Sequence, residues 1–331
     1  MPSTIKDIAK ALGFAPSTVS RALNNSPQIS EETRTLIHTM AKRMNYRLNR
    51  SAAGLRTQKT YCLGLVVPSI SSHFFSTVIS GVQQVASANG YQLLICQTKE
   101  DEKEERNYVD ALISGRIDGL MISVANGTKN YDHIKLAMEE MPVVMFDRVT
   151  DKIDGMYVEA KDYEGSYKAT THLIKRGCKN IAHLAGPKDL MIAKNRMNGY
   201  KAALKDNKIP FDKNLVVYCD FDKDLVSNAL QQVFRVNPKL DGIFAANDEV
   251  AVQAIIELRK LKMKVPEQVA IVGFGNYPIA EIVEPTLTTV KHHPRRIGAN
   301  ATHKLLSMID SNYTDYEEEF ITSDLIKRGS A

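Results

Sequence analysis

The stretch from residue 4 to residue 25, TIKDIAKALGFAPSTVSRALNN, decides how this chain is organised. Thr4 is a favourable N-cap residue, and Asp7, three positions later, can complete a capping box. Apolar residues then recur at helical spacing, which predicts an amphipathic helix of about two turns. Gly13 ends this helix, because glycine readily adopts the left-handed conformation. Pro16 opens a second short helix, since proline fits the first helical turn.

The second helix is predicted to be amphipathic, with Val19, Ala22 and Leu23 on its apolar face. Its polar face carries Ser17, Thr18, Ser20 and Arg21. A third helix is predicted over residues 30–45, with Ser30 as its cap. We expect five of its apolar residues to cover the first two helices: Leu36, Ile37, Met40, Ala41 and Met44. Two short helices joined by a tight glycine turn are typical of a helix-turn-helix. Periodicity alone leaves open a small helical bundle without a special function.

The distribution of charge favours the first of these two interpretations. Residues 1–60 contain ten Lys and Arg against three Asp and Glu, a net charge of +7, whereas the remaining residues contain 33 against 35, a net charge of −2. All the excess positive charge therefore lies in the sixty-residue head. A basic head of this kind is the electrostatic footprint of a domain that binds the phosphate backbone of nucleic acids.

This head, the segment NYRLNRSAAGLRTQKT at residues 45–60 and the strand that follows resemble the LacI/GalR family of bacterial transcription regulators. The resemblance extends over essentially the whole chain. It implies a repressor that binds operator DNA as a homodimer, in the bacterial cytoplasm at the nucleoid, and whose operator affinity is controlled by a small-molecule effector. The residues expected to contact DNA are Thr4, Lys6, Pro16, Ser17, Thr18, Ser20, Arg21, Asn24, Asn49 and Leu55.

Residues 49–60 correspond to the hinge helix of the family, which folds on DNA and inserts a leucine into the minor groove. By position this leucine is Leu55, and apolar wedges of this kind kink DNA in many minor-groove binders. A plain linker is the alternative, since small and basic residues also suit one. Two departures from the family pattern affect the head: Leu48 stands where the family usually has proline, and Ala15 where it usually has serine.

Bulk properties exclude several classes of protein. The chain has 331 residues, 44% hydrophobic and 24% charged, which is ordinary for a soluble protein of two or three domains. It has no apolar run long enough to span a membrane, and its N-terminus lacks the apolar region of a secretory signal. The cysteines and histidines show no metal-ligand spacing, and His292-His293 is the only histidine pair. We therefore expect no membrane partner, no metal and no cofactor.

From Tyr61 onward, strands and helices alternate, which predicts right-handed βαβ units and parallel sheets. The predicted strands are residues 63–67, 92–97, 119–124, 143–147, 181–185, 215–219, 242–246 and 269–274. The predicted helices are residues 75–89, 102–115, 131–140, 165–176, 193–207, 225–236 and 249–261. The fold class is thus an all-α helix-turn-helix domain followed by an α/β body of two doubly wound parallel sheets, similar to periplasmic binding proteins.

The family pattern also implies the domain boundaries. Residues 1–48 form the helix-turn-helix domain and residues 49–60 the hinge. Residues 61–160 with 291–320 form the first lobe, and residues 161–290 with 321–331 the second. In this scheme residues 284–290 return the chain to the first lobe, a helix follows near residues 295–308, and a strand at residues 320–326 crosses back.

Polar residues lie beside aromatic residues at the predicted carboxyl ends of the strands, where ligands bind in doubly wound folds. Aromatic rings with carboxylate, amide and guanidinium groups suit a sugar, sugar phosphate or nucleobase. The candidate effector-binding residues are Ser69, Phe74, Phe75, Asp147, Arg148, Arg196, Phe221, Asn247 and Asn276. Alternative roles are helix capping for Asp147, core packing for Phe74 and Phe75, and a surface ion pair for Arg196. Gly275 stands where the family usually has an aspartate that binds the ligand.

Two other functions compete with a DNA-binding regulator. A sugar-binding protein of the periplasmic type without a DNA role has the same two-lobed body, but the basic head and the absent secretory signal disfavour it. A metabolic enzyme with a doubly wound fold is the other alternative. The sequence contains no GxGxxG, GxSxG or Walker motif, so no site for enzyme chemistry is predicted.

Overall fold

The structure is a computed structural model that describes residues 3–23, 25–46, 59–311 and 318–331. The chain divides into two compact units, residues 1–60 and residues 61–331. Each unit has hydrophobic clusters of its own, so each is described separately below.

The described residues of the first unit form three helices, α1 (Ile5–Leu12), α2 (Pro16–Leu23) and α3 (Glu31–Arg43). The capping box at the start of α1 is confirmed: the Asp7 amide donates to Thr4 Oγ1, and the Thr4 amide donates to Asp7 Oδ2 at 2.8 Å. Gly13 has φ +72°, the left-handed conformation that ends α1. The fully or nearly buried residues that hold the three helices together are Ile8, Ala9, Val19, Ala22, Ile37 and Ala41.

One expectation about α3 is wrong. Leu36 is 48% exposed, whereas Ile37 and Ala41 are buried. The buried pair is spaced i, i+4, so it marks the inward face of α3, and Leu36 projects about 100° away from Ile37 around the helix.

The second unit alternates strands and helices as predicted. Its strands are β1 (Cys62–Val67), β2 (Gln92–Gln97), β3 (Gly119–Ile122), β4 (Val143–Phe146), β5 (Met156–Ala160), β6 (Ile181–Ala185), β7 (Val216–Tyr218), β8 (Gly242–Ala245), β9 (Ala270–Gly275), β10 (Thr288–Lys291), β11 (Glu318–Ile321) and β12 (Asp324–Ile326). Its α-helices are α4 (His73–Ala88), α5 (Glu102–Ser114), α6 (Asp132–Glu140), α7 (Asp162–Lys175), α8 (Met191–Asp206), α9 (Val226–Val236), α10 (Asp248–Lys260), α11 (Ile279–Ile282) and α12 (Pro294–Ser311).

In the described part of this unit the strands form two six-stranded sheets. The first has the order β11-β5-β4-β3-β1-β2 and is parallel throughout. The second has the order β12-β10-β9-β8-β6-β7 and is parallel except for β12, which runs antiparallel to β10 at one edge. Two doubly wound sheets are therefore confirmed, with one antiparallel edge strand as an addition.

The chain passes between the two sheets three times. β5 belongs to the first sheet and α7 packs on the second; β10 belongs to the second and α12 packs on the first; β11 pairs in the first and β12 in the second. The two lobes are therefore each built from separate parts of the chain. The carboxyl ends of both sets of parallel strands line the cleft between the lobes, which positions the candidate site.

Three details of the sequence prediction are wrong. The strand predicted at residues 320–326 is two strands, because the backbone leaves the first sheet at Ile321 and Lys168 Nζ binds the Ser323 carbonyl oxygen at 2.7 Å. β5 was not predicted. Residues 284–290 do not yet return to the first lobe, since Thr288–Lys291 is a central strand of the second sheet.

Among the described residues, no helix combines the length and apolar character needed to cross a membrane. No group of three or more histidine, cysteine or acidic side chains in that part of the chain could hold a metal ion.

Candidate nucleic-acid interface and interlobe cavity

The outer face of α2 is polar and accessible within the head. Val19 and Ala22 are buried against the other two helices, so Pro16, Ser17 and Arg21 project outward and are exposed. Thr18 and Ser20 are half-buried at the margins of the same face, and Lys6 and Thr4 are exposed on and before α1. A helix with exposed hydroxyl and guanidinium groups has the chemistry to bind phosphates and base edges. Three of the predicted DNA contacts, Asn24, Asn49 and Leu55, lie outside the described residues.

A cavity of about 70 Å³ lies between the two lobes of the body, at the carboxyl ends of the strands; we call it the interlobe cavity. It is lined by Ser72, Phe74, Phe75, Asp147, Arg148, Ile192, Arg196, Phe221, Asn247, Phe274, Tyr277 and His292. Seven of the nine residues expected to bind an effector are therefore brought together around one cavity.

Arg196, on α8, is held rigidly beside the cavity. Its Nε donates to Asp162 Oδ1 at 2.7 Å and its Nη1 donates to the Ala246 carbonyl oxygen at 2.7 Å. The guanidinium group also lies over the Phe274 ring, 4.0 Å from its centroid. Only 5% of Arg196 is exposed, which makes a surface ion pair the wrong description. The charge-assisted bond to Asp162 fixes the orientation of the guanidinium group.

Asp147 follows β4 and is buried, with φ +58°. The pKa of its carboxyl group is raised from 3.8 to about 7, mainly by burial; the Arg148 and Arg196 guanidinium groups lower this pKa, and the Asp162 and Glu100 carboxylates help to raise it. Within the described residues, no hydrogen bond engages its side chain. Asp147 therefore presents a weakly paired carboxyl group to the cavity, with a proton affinity well above that of an exposed aspartate.

Arg148, the next residue, is held by an ion pair with Glu100. Its Nη1 donates to both carboxylate oxygens of Glu100 at 2.7 Å. The guanidinium carbon lies 5.5 Å from the centroid of the Phe75 ring and 5.9 Å from that of the Phe221 ring. Since Phe221 belongs to the second lobe, this cation–π contact crosses the cleft.

Phe221 and Asn247 support each other at the second lobe. Asn247 caps α10 by accepting from the Val250 amide at 2.8 Å, and its Nδ2 donates to the Phe221 carbonyl oxygen at 3.2 Å. Phe221 has φ +61°, and its ring lies so close to Gly186 that a Cβ atom there would be 2.5 Å from Cζ. These two hydrogen bonds tie the Asn247 amide to the first turn of α10 and to the Phe221 backbone.

Two expected effector contacts are not at the cavity. Ser69 lies in the loop after β1, where its hydroxyl is 3.1 Å from that of Ser71. Asn276 points toward the C-terminal segment, where its Oδ1 accepts from Arg328 Nη2 at 2.8 Å. Gly275 and Asn276 both have positive φ angles, +144° and +55°, and this backbone turn directs Asn276 away from the cleft.

The structure also adds residues that the sequence interpretation missed. Tyr277 and His292 line the cavity, Phe74 stacks on the His292 ring at 4.9 Å, and Asp162 pairs with Arg196. Burial lowers the pKa of His292 well below its usual value, and Arg196 nearby lowers it further, so this imidazole is neutral. The one sequence signal at His292 is the His292-His293 pair, which lacks metal-ligand spacing.

Comparison with known proteins agrees with this architecture. Residues 4–49 match the description "Bacterial regulatory proteins, lacI family", and residues 60–329 match "Periplasmic binding proteins and sugar binding domain of LacI family". The ribose operon repressor of Halalkalibacterium halodurans is 31% identical over 98% of this chain and 96% of its own.

Two solved structures are similar over almost their whole length. A transcriptional regulator CelR–cellobiose complex is 27% identical with a TM-score of 0.77, covering 99% of this chain and 100% of its own. A lac repressor dimer bound to operator and the anti-inducer ONPF has a TM-score of 0.89, covering 100% and 99%, and at 22% identity supports the fold.

A helix-turn-helix head and a two-lobed body with a cavity at the strand ends define a ligand-responsive transcription regulator. The chain belongs to the LacI family of bacterial regulatory proteins.

Proposed function

We propose that this chain is a homodimeric repressor whose operator affinity is set by a small polyhydroxylated ligand bound in the interlobe cavity, and that it carries no enzymatic activity. The observation that carries the proposal is the convergence of Asp147, Arg196 and the aromatic rings at one cavity, in a chain whose head has a net charge of +7. A two-fold operator matches a dimer of helix-turn-helix heads.

In the head, Ser17 and Arg21 read base edges, while Lys6 and Thr18 bind phosphates. This division follows from position, because Ser17 and Arg21 are exposed on the outer face of α2, and Lys6 is exposed on α1. An arginine can pair bidentately with guanine, whereas a lysine ammonium binds phosphate without regard to sequence. Leu55 serves as the minor-groove wedge of a hinge helix.

The ligand site combines one acceptor, one donor and several ring faces. Asp147 can accept hydrogen bonds from hydroxyl groups when ionised. Arg196 uses Nε and Nη1 within the protein, and no hydrogen bond among the described residues engages its Nη2. Phe74, Phe221 and Tyr277 supply apolar walls. A sugar or sugar derivative has both the hydroxyl groups and the apolar ring faces that such a site accepts.

The lobes that enclose this site are proposed to be residues 61–160 with 291–320 and residues 161–290 with 321–331, linked by the three passages between the sheets. Closure of two lobes around a ligand is a hinge motion. We propose that the linker transmits this motion to the heads of the dimer. Linkage then requires that a ligand which changes DNA affinity has its own affinity changed by DNA, by the same factor.

The test measures fluorescence anisotropy of duplex DNA from the region upstream of the gene, with and without D-ribose. Arg196→Ala is combined with Asp162→Asn, because removing Arg196 alone leaves a buried carboxylate unpaired at a cost of about 3–5 kcal/mol. We expect the double variant to bind DNA as the wild type does but to lose its ligand response. Arg176→Ala, at an exposed position, is the control and should retain both.

A double variant that responds to the ligand as strongly as the wild type would remove Arg196 from the site. Failure of the wild-type chain to bind any upstream DNA at low salt would contradict the proposed function itself.

A further inference from the structure

Tyr277 separates the interlobe cavity from a second space on the other side of its ring. This second space, which we call the outer groove, has a volume of about 480 Å³. It is lined by His73, Lys223, Glu249, Val252, Gln253, Ile256, Tyr277, Pro278 and Ile279. Tyr277 lines both spaces and is only 8% exposed, so its side chain forms the wall between them.

The Tyr277 ring is seated directly over Gly275. A Cβ atom built on Gly275 would lie 2.6 Å from Cε1 and 2.9 Å from Cδ1 of the Tyr277 ring. Gly275 also has φ +144°, a conformation that other residues rarely adopt. A side chain at residue 275 would therefore overlap the Tyr277 ring. In this chain residue 275 is glycine, and the ring occupies that space.

Two further contacts hold Tyr277 in its position over Gly275. The Tyr277 amide donates to Asp248 Oδ2 at 2.6 Å, which fixes the backbone. The ring lies 4.9 Å from the His73 ring of the first lobe, at an interplanar angle of 59°. Because Tyr277 follows β9 of the second sheet, this aromatic contact joins the two lobes across the cleft.

The volumes on the two sides of the ring differ greatly. A cavity of about 70 Å³ has the volume of roughly two water molecules, whereas pockets that hold small molecules typically measure about 300–1,000 Å³. Movement of the lobes can enlarge the cavity along the cleft. The ring closes the direction toward the outer groove, so a ligand can extend that way only if the ring leaves.

We propose that Tyr277 is a specificity-determining residue of the ligand site, and that it excludes disaccharides and larger saccharides by occupying the space over Gly275. This inference rests on the proposed function, since it concerns the same cavity. The ring acts as an internal competitor. If the ring is out of its seat for about a tenth of the time or less, removing it strengthens binding of a large saccharide by about tenfold or more.

Two variants remove the ring from its seat by different means. Tyr277→Ala deletes it, and Gly275→Ala places a methyl group where the ring lies. Each has a matched control. Tyr277→Phe keeps the ring, and Gly177→Ala imposes a side chain at another positive φ, +106°, where nothing lies within 4 Å of the new Cβ.

Calorimetry with full-length protein uses two probes, cellobiose and 4-methylphenol, a small-molecule analogue of the tyrosine side chain. We expect cellobiose to bind Tyr277→Ala and Gly275→Ala about tenfold or more tightly than it binds wild type. Tyr277→Phe and Gly177→Ala should match wild type. In Tyr277→Ala, 4-methylphenol should bind and compete with cellobiose.

Binding of 4-methylphenol by Tyr277→Ala shows that the variant is folded and that the space over Gly275 is open. The proposal is overturned if this variant then binds cellobiose no more tightly than wild type does, or if neither protein binds cellobiose measurably. If Tyr277→Ala does not fold, Gly275→Ala decides alone by the same comparison. The calorimetry does not measure DNA binding. A failure of the proposed function would instead be seen as an absence of DNA binding by the wild type, so the two failures are distinguished.

Discussion

Asp147 makes the stability of the body depend on pH in a way that can be calculated. Burial raises the pKa of this carboxyl group from 3.8 to about 7. A group whose pKa is higher in the folded state contributes stability below its unfolded pKa, and this contribution is lost as the pH rises through the folded pKa. The wild-type protein should therefore lose stability between pH 4 and pH 7 on account of Asp147.

The full loss is about 4 kcal/mol, at about 1.4 kcal/mol per pKa unit. Between pH 5 and pH 8 it amounts to about 2.5 kcal/mol, because the unfolded carboxyl group is already mostly ionised at pH 5. Asp147→Asn removes the titration and keeps the shape of the side chain. We expect the free energy of unfolding of this variant, relative to wild type, to rise by about 2.5 kcal/mol from pH 5 to pH 8.

The assay is urea unfolding of full-length protein, followed by circular dichroism at pH 5, 6.5 and 8. Asp110→Asn, at an exposed position on α5, is the control for the same substitution at the surface. If the difference between Asp147→Asn and wild type is independent of pH, Asp147 does not titrate near neutrality and the burial argument is refuted.

The remaining predictions concern the head. Arg21→Ala should flatten sequence preference by about 1–3 kcal/mol, whereas Lys6→Ala should weaken all DNA sequences alike; uniform losses in both variants, measured by anisotropy on two DNA sequences, would withdraw the base contact from Arg21. Leu55→Ala should reduce DNA bending and leave D-ribose binding unchanged; an unaltered bend angle in a circular-permutation assay counts against the hinge helix. Thr4→Ala should destabilise the head by about 1 kcal/mol, because the α1 cap is lost, and an unchanged thermal unfolding of the head would contradict this.

Local signals explain why so much of the fold was predictable. The capping box at Thr4 and the left-handed turn at Gly13 depend on neighbouring residues, and both are present in the structure. The strand–helix alternation from Tyr61 is likewise a local pattern, and nearly every predicted element lies within a few residues of an observed one. The missed strands β5 and β10 flank passages between the lobes, where the surrounding sheet decides the pairing.

The sequence predicted which residues lie at the ends of the strands, but not how their side chains pair around the cavity. Asp147 and Arg196 were expected because they follow or flank strands, but the pairing of Arg196 with Asp162 joins residues on two different helices and depends on how α7 and α8 pack. Tyr277 lines the cavity in place of the predicted Asn276, because the positive φ angle of Gly275 turns the backbone there. The spacing of residues in the sequence does not indicate this turn.

We expect the basic head to bind DNA and the body to regulate that binding. The most direct measurement is the salt dependence of binding to the upstream DNA, compared between the full chain and residues 61–331. We predict tight binding by the full chain with a slope of log affinity against log salt of about −0.9 per phosphate neutralised, and no specific binding by the body alone. Undiminished binding by residues 61–331, or a full-chain affinity independent of salt, would contradict the claim.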